Sequence, residues 1–471
     1  MDPVRFHSGN LPRRRLAGGK TAVYFSNFLP FSDRNNAREL VENTLFYRSA
    51  SKFDVFSCFS GHMSRKPAIL NETVARLNER FCGKKEIIIK ELGAGHGESM
   101  EVLLGRIRTS YPGLFRGLTA YASDGYREVL DALINRPGLR SFISEGKLFA
   151  LREDLLDDMS GKVKADYARI RYTLTDIPED MIRKENGRFY AAKVNGYLIG
   201  DEGFKAPQGR NIPANTVAAL LCEKRVEDIL SLGLDVRHIQ PRVGYDVKYA
   251  PIDYGKYNNG LAVKMILQKI TSGIDHTEFR SGLNASMTLR NIISNHLKPE
   301  KGALLEAFDV WTKKIWPFMP QPYTSLGFTS VNSVNFPFVR AYLEQNKVPV
   351  KMQFEDWKDY IRLNKEPYIY VSHLNKWLKS QPDDVEKTLG MKISAESISR
   401  ITGFIGSSQH AADMILYSEK ESHPVIKALK KEGLDEAQIE KLFQNDKFLE
   451  QDKSKTRGFF GLYQVVSFER K

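Results

Sequence analysis

Cysteine is scarce in this sequence: three residues in 471, Cys58, Cys82 and Cys222, all far apart. They build neither a disulfide framework nor a metal cluster, and such sparse usage suits a reducing compartment. No apolar run is long enough to cross a bilayer, so no spanning helix is predicted. The N-terminal stretch lacks the apolar core of a secretion signal. Arg13-Arg14-Arg15 hint at an organelle transit segment, but Asp2 and the missing amphipathic run count against one. Internal repeats and low-complexity tracts are also missing. These absences point to a cytoplasmic protein.

What is present is an ordinary globular composition, 42% hydrophobic and 27% charged, with one skew, a net charge of +13. Residues 1–90 hold 16 Lys and Arg against 8 Asp and Glu, so much of the excess lies there. A basic surface speeds encounters with nucleic acid, acidic protein or membrane. The basic residues are scattered, however, without zinc-finger spacing or a Lys/Arg stripe interleaved with aromatics. A solvated basic surface is therefore favoured over a nucleic-acid site. The length implies two or three units.

The most informative stretch is 86–99. Ile87, Ile88 and Ile89 form a β-branched run suited to a strand covered on both faces. Gly93, Gly95 and Gly97 follow, where the backbone must turn sharply and let a ligand approach. Met100, Leu103, Leu104 and Ile107 then recur at helical spacing. Strand, glycine turn and helix make the first unit of a nucleotide-type site, with ligand at the carboxyl end of the strand. Glu91 precedes the turn and narrows the ligand.

Glu-x-Gly-x-Gly-x-Gly resembles motif I of class I S-adenosylmethionine-dependent methyltransferases; a dinucleotide fingerprint would space its glycines Gly-x-Gly-x-x-Gly. The resemblance implies that Gly93, Ala94, Gly95 and Gly97 lie against the methionine part of the cofactor S-adenosylmethionine, with Glu91 fixing the loop or the amino group. A second strand, Leu118 to Ala122, ends at Asp124, an acid that can accept hydrogen bonds from both ribose hydroxyls and resembles motif II. A third, Lys147 to Leu151, runs into Asp154 and Leu155, which resemble the motif III that meets adenine. Asp154 reads equally as a helix N-cap. A fourth, Tyr167 to Leu174, ends in Thr175-Asp176-Ile177-Pro178-Glu179-Asp180 and resembles motif IV, which faces the methyl group.

The fold implied is α/β: a Rossmann-like class I methyltransferase core, a seven-stranded sheet with an antiparallel C-terminal strand, plus a helical N-terminal lid and a large insertion. Residues 1–85 are the mainly helical lid segment, with an apolar stripe at Leu70, Val74, Leu77 and Phe81. Residues 86–204 are the cofactor core. Within it, 187–203 reads as a hairpin around Asn195-Gly196. Residues 205–390 are the insertion that binds substrate, where Leu304, Phe308, Trp311 and Ile315 mark a helix and Tyr323, Phe328 and Phe336 are candidate pocket aromatics. Residues 391–471 complete the sheet, with helices at 424–431 and 436–443 and a strand at 458–468.

Weaker echoes resemble the MidA-like group, which includes complex I assembly methyltransferases: Tyr111-Pro112 in a long spacer, Asp253-Tyr254-Gly255, and the terminal strand. That group carries an Asn-Glu pair after strand four, where this sequence has Arg171 and Tyr172. The departure counts against the group's protein-arginine activity. The signature of base-amino methyltransferases, Asn/Asp-Pro-Pro-aromatic, is absent too.

Methyl transfer is an in-line displacement in which positioning supplies much of the rate, and a base is needed only for a protonated nucleophile. Asp176 is the best-placed candidate, with Tyr172 and Glu179 behind it; His62, His96 and His276 are lone histidines with bystander readings. No metal ligands are proposed. Three functions follow: a methyltransferase for a small molecule, one for a side chain of an acidic protein, or a non-catalytic S-adenosylmethionine-binding assembly module.

Overall fold

The Ile87-Ile88-Ile89 run opens strand β1 (Ile87–Leu92), an interior strand of a mixed sheet. Its partners are β2 (Leu118–Asp124), β3 (Leu148–Arg152), β4 (Tyr167–Arg171), β5 (Leu304–Thr312), β6 (Val350–Asp356) and β7 (Tyr463–Arg470). Their order is β3-β2-β1-β4-β5-β7-β6. Strands β1 to β5 run parallel, and β7 runs antiparallel to both β5 and β6. This is the sheet the resemblance implies. A two-residue strand, Val334–Asn335, extends the carboxyl end of β5. The computed structural model describes residues 11–50, 67–157, 163–171, 173–200, 202–207, 209–257, 259–313, 315, 323–326, 329–356, 368–407, 414–417, 420–421, 423–444 and 463–471.

Helices α1 (Pro67–Phe81), α2 (Glu98–Ser110) and α3 (Arg127–Ile134) belong to one layer, and α4 (Leu283–Asn291) and α5 (Phe336–Gln345) to the opposite one. The stripe Leu70, Val74, Leu77 and Phe81 is buried with Ile87, Ile89, Met100 and Leu104 in the first core. Ala285, Leu289, Val339 and Leu343 close the second over Leu92, Ile170, Leu305 and Val466. Helix α1 is thus a core helix rather than a lid. The segment that reaches the strand ends lies earlier, at Glu39–Leu45 and Phe46–Ala50.

Two further expectations are corrected. Leu304 to Trp311 is strand β5, not a helix: all nine residues Leu304–Thr312 are buried, as the middle of a sheet covered on both faces requires. Asn195-Gly196 is not a turn. Arg188–Ile199 is one continuous strand, and its hairpin turn is Asn186-Gly187, with φ of 48° and 75°. These two positive φ angles suit a primed turn. Glycine stands at this mid-strand position because a Cβ there would lie 2.5 Å from Phe25 and Ala37.

The unit boundaries shift with β5. Strands β5 and β6 both fall inside 205–390, so that stretch is no single insertion. Between β4 and β5 stands a second sheet, built on Arg188–Ile199 with Met181–Glu185, His276–Arg280 and Val243–Pro251. The N-terminal strands Arg13–Arg15, Thr21–Tyr24 and Leu29–Pro30 join it. Between β6 and β7 stands a helical unit with its own core of Ile369, Leu374, Trp377, Ile401, Val425 and Leu442. The helices Pro424–Lys431 and Glu436–Phe443 belong to it, not to the sheet.

Candidate functional site

The glycine turn sits at the carboxyl end of β1, between β2 and β4, where the strand order reverses. Gly93, Gly95 and Gly97 hold φ of 69°, 54° and 77°, a region that L side chains rarely adopt. A Cβ on Gly93 would meet Thr173 Oγ1 at 2.4 Å, and one on Gly97 would meet Leu139 at 2.6 Å. The turn is therefore packed on both sides. The Ala94 N–H donates to the Ser123 carbonyl at 2.9 Å, which ties it to β2.

Asp124 ends β2, and its carboxylate accepts from the Gly95 N–H and the Tyr126 N–H, both at 3.1 Å. The Gly125 N–H also bonds this carboxylate, and the two oxygens keep acceptor capacity for a ribose hydroxyl. Burial raises its pKa above the ordinary aspartate value. Glu91 faces the sheet instead: both it and Arg169 are buried, and Arg169 Nη2 donates to Glu91 Oε2 at 2.9 Å. Its place is to anchor β1 to β4 beneath the turn. His96 lies in the turn itself, half-buried.

Asp154 follows β3. Its oxygens accept from Arg34 at 2.7 and 3.2 Å and from the Leu156 N–H at 2.9 Å, the local bonding of a turn cap. Leu155 packs on the second core. Thr175 is buried, its N–H donating to Asp309 at 3.3 Å and its carbonyl accepting from Arg280 at 3.0 Å.

Asp176 is half-buried beside a small cavity shared with Phe31, Glu39, Asn43 and Arg280. Glu179 is committed to structure: it accepts from Ser281 Oγ and from the Ala285 N–H at the start of α4, both at 2.6 Å. Tyr172, His62 and Phe328 lie outside the described residues, as does the side chain of Tyr323. His276 opens a strand of the second sheet opposite Glu185, at the other end of that strand from Arg280. Phe336 packs edge-on against Trp311 and Phe354, as core.

Four groups near Asp176 have no sequence motif. Asp309, inside β5, accepts the N–H groups of Leu174, Thr175 and Val310, and burial lifts its carboxyl to about 7. Arg280 is buried and grips the carbonyls of Thr175 and Ile177. Glu39 and Asn43 come from the π-helical segment Glu39–Leu45. For Asp309 and Glu39 the sequence signal is an acid set in apolar surroundings; Arg280 and Asn43 carry none. Beyond Glu179 opens a cleft of about 870 Å³, where Asp180 accepts from Ser32 Oγ at 2.6 Å and Tyr257 Oη at 2.9 Å, beside Asn284 and Arg290.

The core is a class I methyltransferase fold. Strand order and the position of the glycine turn establish it. No family model matches the chain, and no curated protein matches it. Two solved structures from Burkholderia thailandensis, members of one superfamily, are each 10% identical and cover 94% of this chain and 88% of their own. One is an uncharacterised protein with a TM-score of 0.47. The other, assigned to methyl transfer and bound to S-adenosyl-homocysteine, has a TM-score of 0.46. The magnesium protoporphyrin IX methyltransferase of Synechocystis with bound S-adenosylmethionine is 10% identical over 60% of this chain and 68% of its own, with a TM-score of 0.25.

Proposed function

We propose that this chain is an S-adenosylmethionine-dependent methyltransferase. One observation carries the reading: three left-handed glycines at the switch point of a 3-2-1-4-5-7-6 sheet, bound by the carboxylate that ends the second strand. That cradle fits the cofactor. Gly93 to Gly97 would hold its methionine part, and Asp124 its ribose. The arrangement of Asp154 favours a turn cap fastened to Arg34 over adenine contact.

When bound, the cofactor supplies an electrophilic methyl group. The chain's residues position the acceptor against it and exclude water. Asp176, at the loop after β4, is the acid best placed to meet the acceptor. The acceptor, a small molecule or a protein side chain, enters by the cleft at Asp180, whose volume is within the range of ligand sites. Glu179, buried with both oxygens held by Ser281 and Ala285, stays a structural group.

Calorimetry with S-adenosylmethionine and S-adenosylhomocysteine tests the cofactor, and radiolabelled methyl transfer into protein and small-molecule fractions of a lysate tests turnover. Binding in the micromolar range that is lost in Asp124→Ala supports the reading. Absence of binding at high micromolar ligand removes it. Binding without transfer into either fraction leaves the non-catalytic module.

A further inference from the structure

The π-helical segment Glu39–Leu45 crosses from the fourth strand's loop to the end of the second. At one side, Asn43 Nδ2 donates both to Glu39 Oε2 at 2.7 Å and to the Asp176 carbonyl at 3.1 Å. At the other, the Tyr126 hydroxyl, two residues past Asp124, bonds the Thr44 side chain and feels the charge of Glu39. Glu39 thus interacts with groups on both flanks of the glycine turn: Asp176 on the methyl side, Tyr126 on the ribose side. π-Helical turns recur at functional sites, since they reposition side chains that a regular helix would stack.

Resting on the cofactor reading, we propose that Glu39 is the donor-recognition carboxyl, facing the sulfonium of S-adenosylmethionine and distinguishing it from the neutral thioether of S-adenosylhomocysteine. Among the described residues, four titratable or charged groups face Glu39. Asp176 approaches from the loop after β4, Arg280 from the second sheet, Tyr126 from the start of α3, and Arg38 from its own segment. Arg38 is engaged by Glu42 at 2.7 Å, and Arg280 by the carbonyls of Thr175 and Ile177. With Asp309 close to Asp176, carboxyls outnumber cations here.

Burial raises Glu39 to about 7, against the weaker opposing effects of Asn43, Arg280 and Arg38. At neutral pH the carboxyl therefore keeps its proton about half the time. A cation brought against it favours the ionised form and expels that proton. A neutral ligand does not. The role needs no acid in the Arg171-Tyr172 pair, where the related group carries Asn-Glu.

The test is calorimetry of the full chain at pH 7 in buffers of differing ionisation enthalpy, which counts protons released. S-adenosylmethionine is expected to release a fraction of a proton, and S-adenosylhomocysteine none. Glu39→Gln should abolish the release and weaken the donor about tenfold, one pKa unit's equivalent, with the product's affinity unchanged. Glu39→Asp should restore release, and Asp309→Asn should keep it. Equal release in the parent and Glu39→Gln overturns the proposal, as does equal weakening of both ligands. Loss of release in Asp309→Asn alone assigns the proton to Asp309 and overturns it too. Failure of the parent to bind either ligand removes the cofactor reading itself, a separate result.

Discussion

Glu91 and Arg169 face each other across β1 and β4, their side chains 2.9 Å apart and 2% and 1% exposed. Arg169 Nε and Nη1 are buried with no hydrogen-bond partner among the described residues. Such a pair gains little over apolar packing, but breaking it leaves an uncompensated charge. Arg169→Met or Glu91→Leu alone should cost about 3–5 kcal/mol of stability. The double variant Glu91→Leu with Arg169→Met should cost much less than the sum. Chemical denaturation of the four proteins checks this.

Gly93→Ala combines an unfavourable φ with a contact at Thr173 Oγ1. The strain is on the order of 1–3 kcal/mol, local to the turn. Far-ultraviolet circular dichroism should be unchanged, while affinity for S-adenosylhomocysteine falls at least about tenfold. Adding Thr173→Gly should recover part of the loss, since it relieves the contact and leaves the φ strain.

Asp124 binds hydroxyls best as an anion. Its pKa is raised by burial, so protonation begins above the ordinary aspartate value and affinity falls as pH drops toward it. Asp124→Asn should weaken S-adenosylhomocysteine by about 1.5–3 kcal/mol at pH 7. It should also lose the acid limb of the profile. A pH series of titrations on both proteins decides it.

Asp309 has a folded pKa near 7, above its ordinary value near 4. Its contribution to stability is complete below the unfolded value and is lost as pH rises through about 7. The parent should melt at a lower temperature at pH 8.5 than at pH 5. Asp309→Asn keeps one acceptor oxygen for the amides of Leu174 and Thr175, so it should be less stable than the parent at pH 5. That deficit should shrink toward pH 8.5. Thermal melts across the range check the sign.

Gly196→Val should disrupt the second sheet, because Phe25 and Ala37 occupy the Cβ position. Overpacking of this kind costs about 1–3 kcal/mol. Thermal denaturation of the variant beside the parent, with a lowered midpoint expected, checks this.

The sheet was readable from its first four strands, because each ends in a motif whose spacing is local: Gly93 to Gly97, Asp124, Asp154, Thr175 to Asp180. Strand β5 was not. Leu304, Phe308 and Trp311 match a helical period by coincidence, and a strand buried on both faces shows no alternation to contradict it. Glu306 and Asp309 within that run were the clue, since acids in an otherwise apolar stretch need specific partners. Asn195-Gly196 is a favoured turn pair, yet pairing with Val243–Pro251 along its length keeps it extended. Glu39 and Arg169 were illegible for another reason. Their importance comes from neighbours more than 70 residues away, Asp176 and Glu91, which no local pattern encodes.

Strand β7 lies between β5 and β6, although residues 463–470 follow both by more than a hundred residues. During synthesis, β5 emerges with one hydrogen-bonding edge open and β6 cannot pair with it directly. At roughly 5–20 residues per second, that edge waits on the order of ten to thirty seconds for its partner. An uncovered strand edge invites pairing with other chains. The newly made protein is therefore most exposed to aggregation, and most dependent on chaperones, in the interval before residue 470 leaves the ribosome.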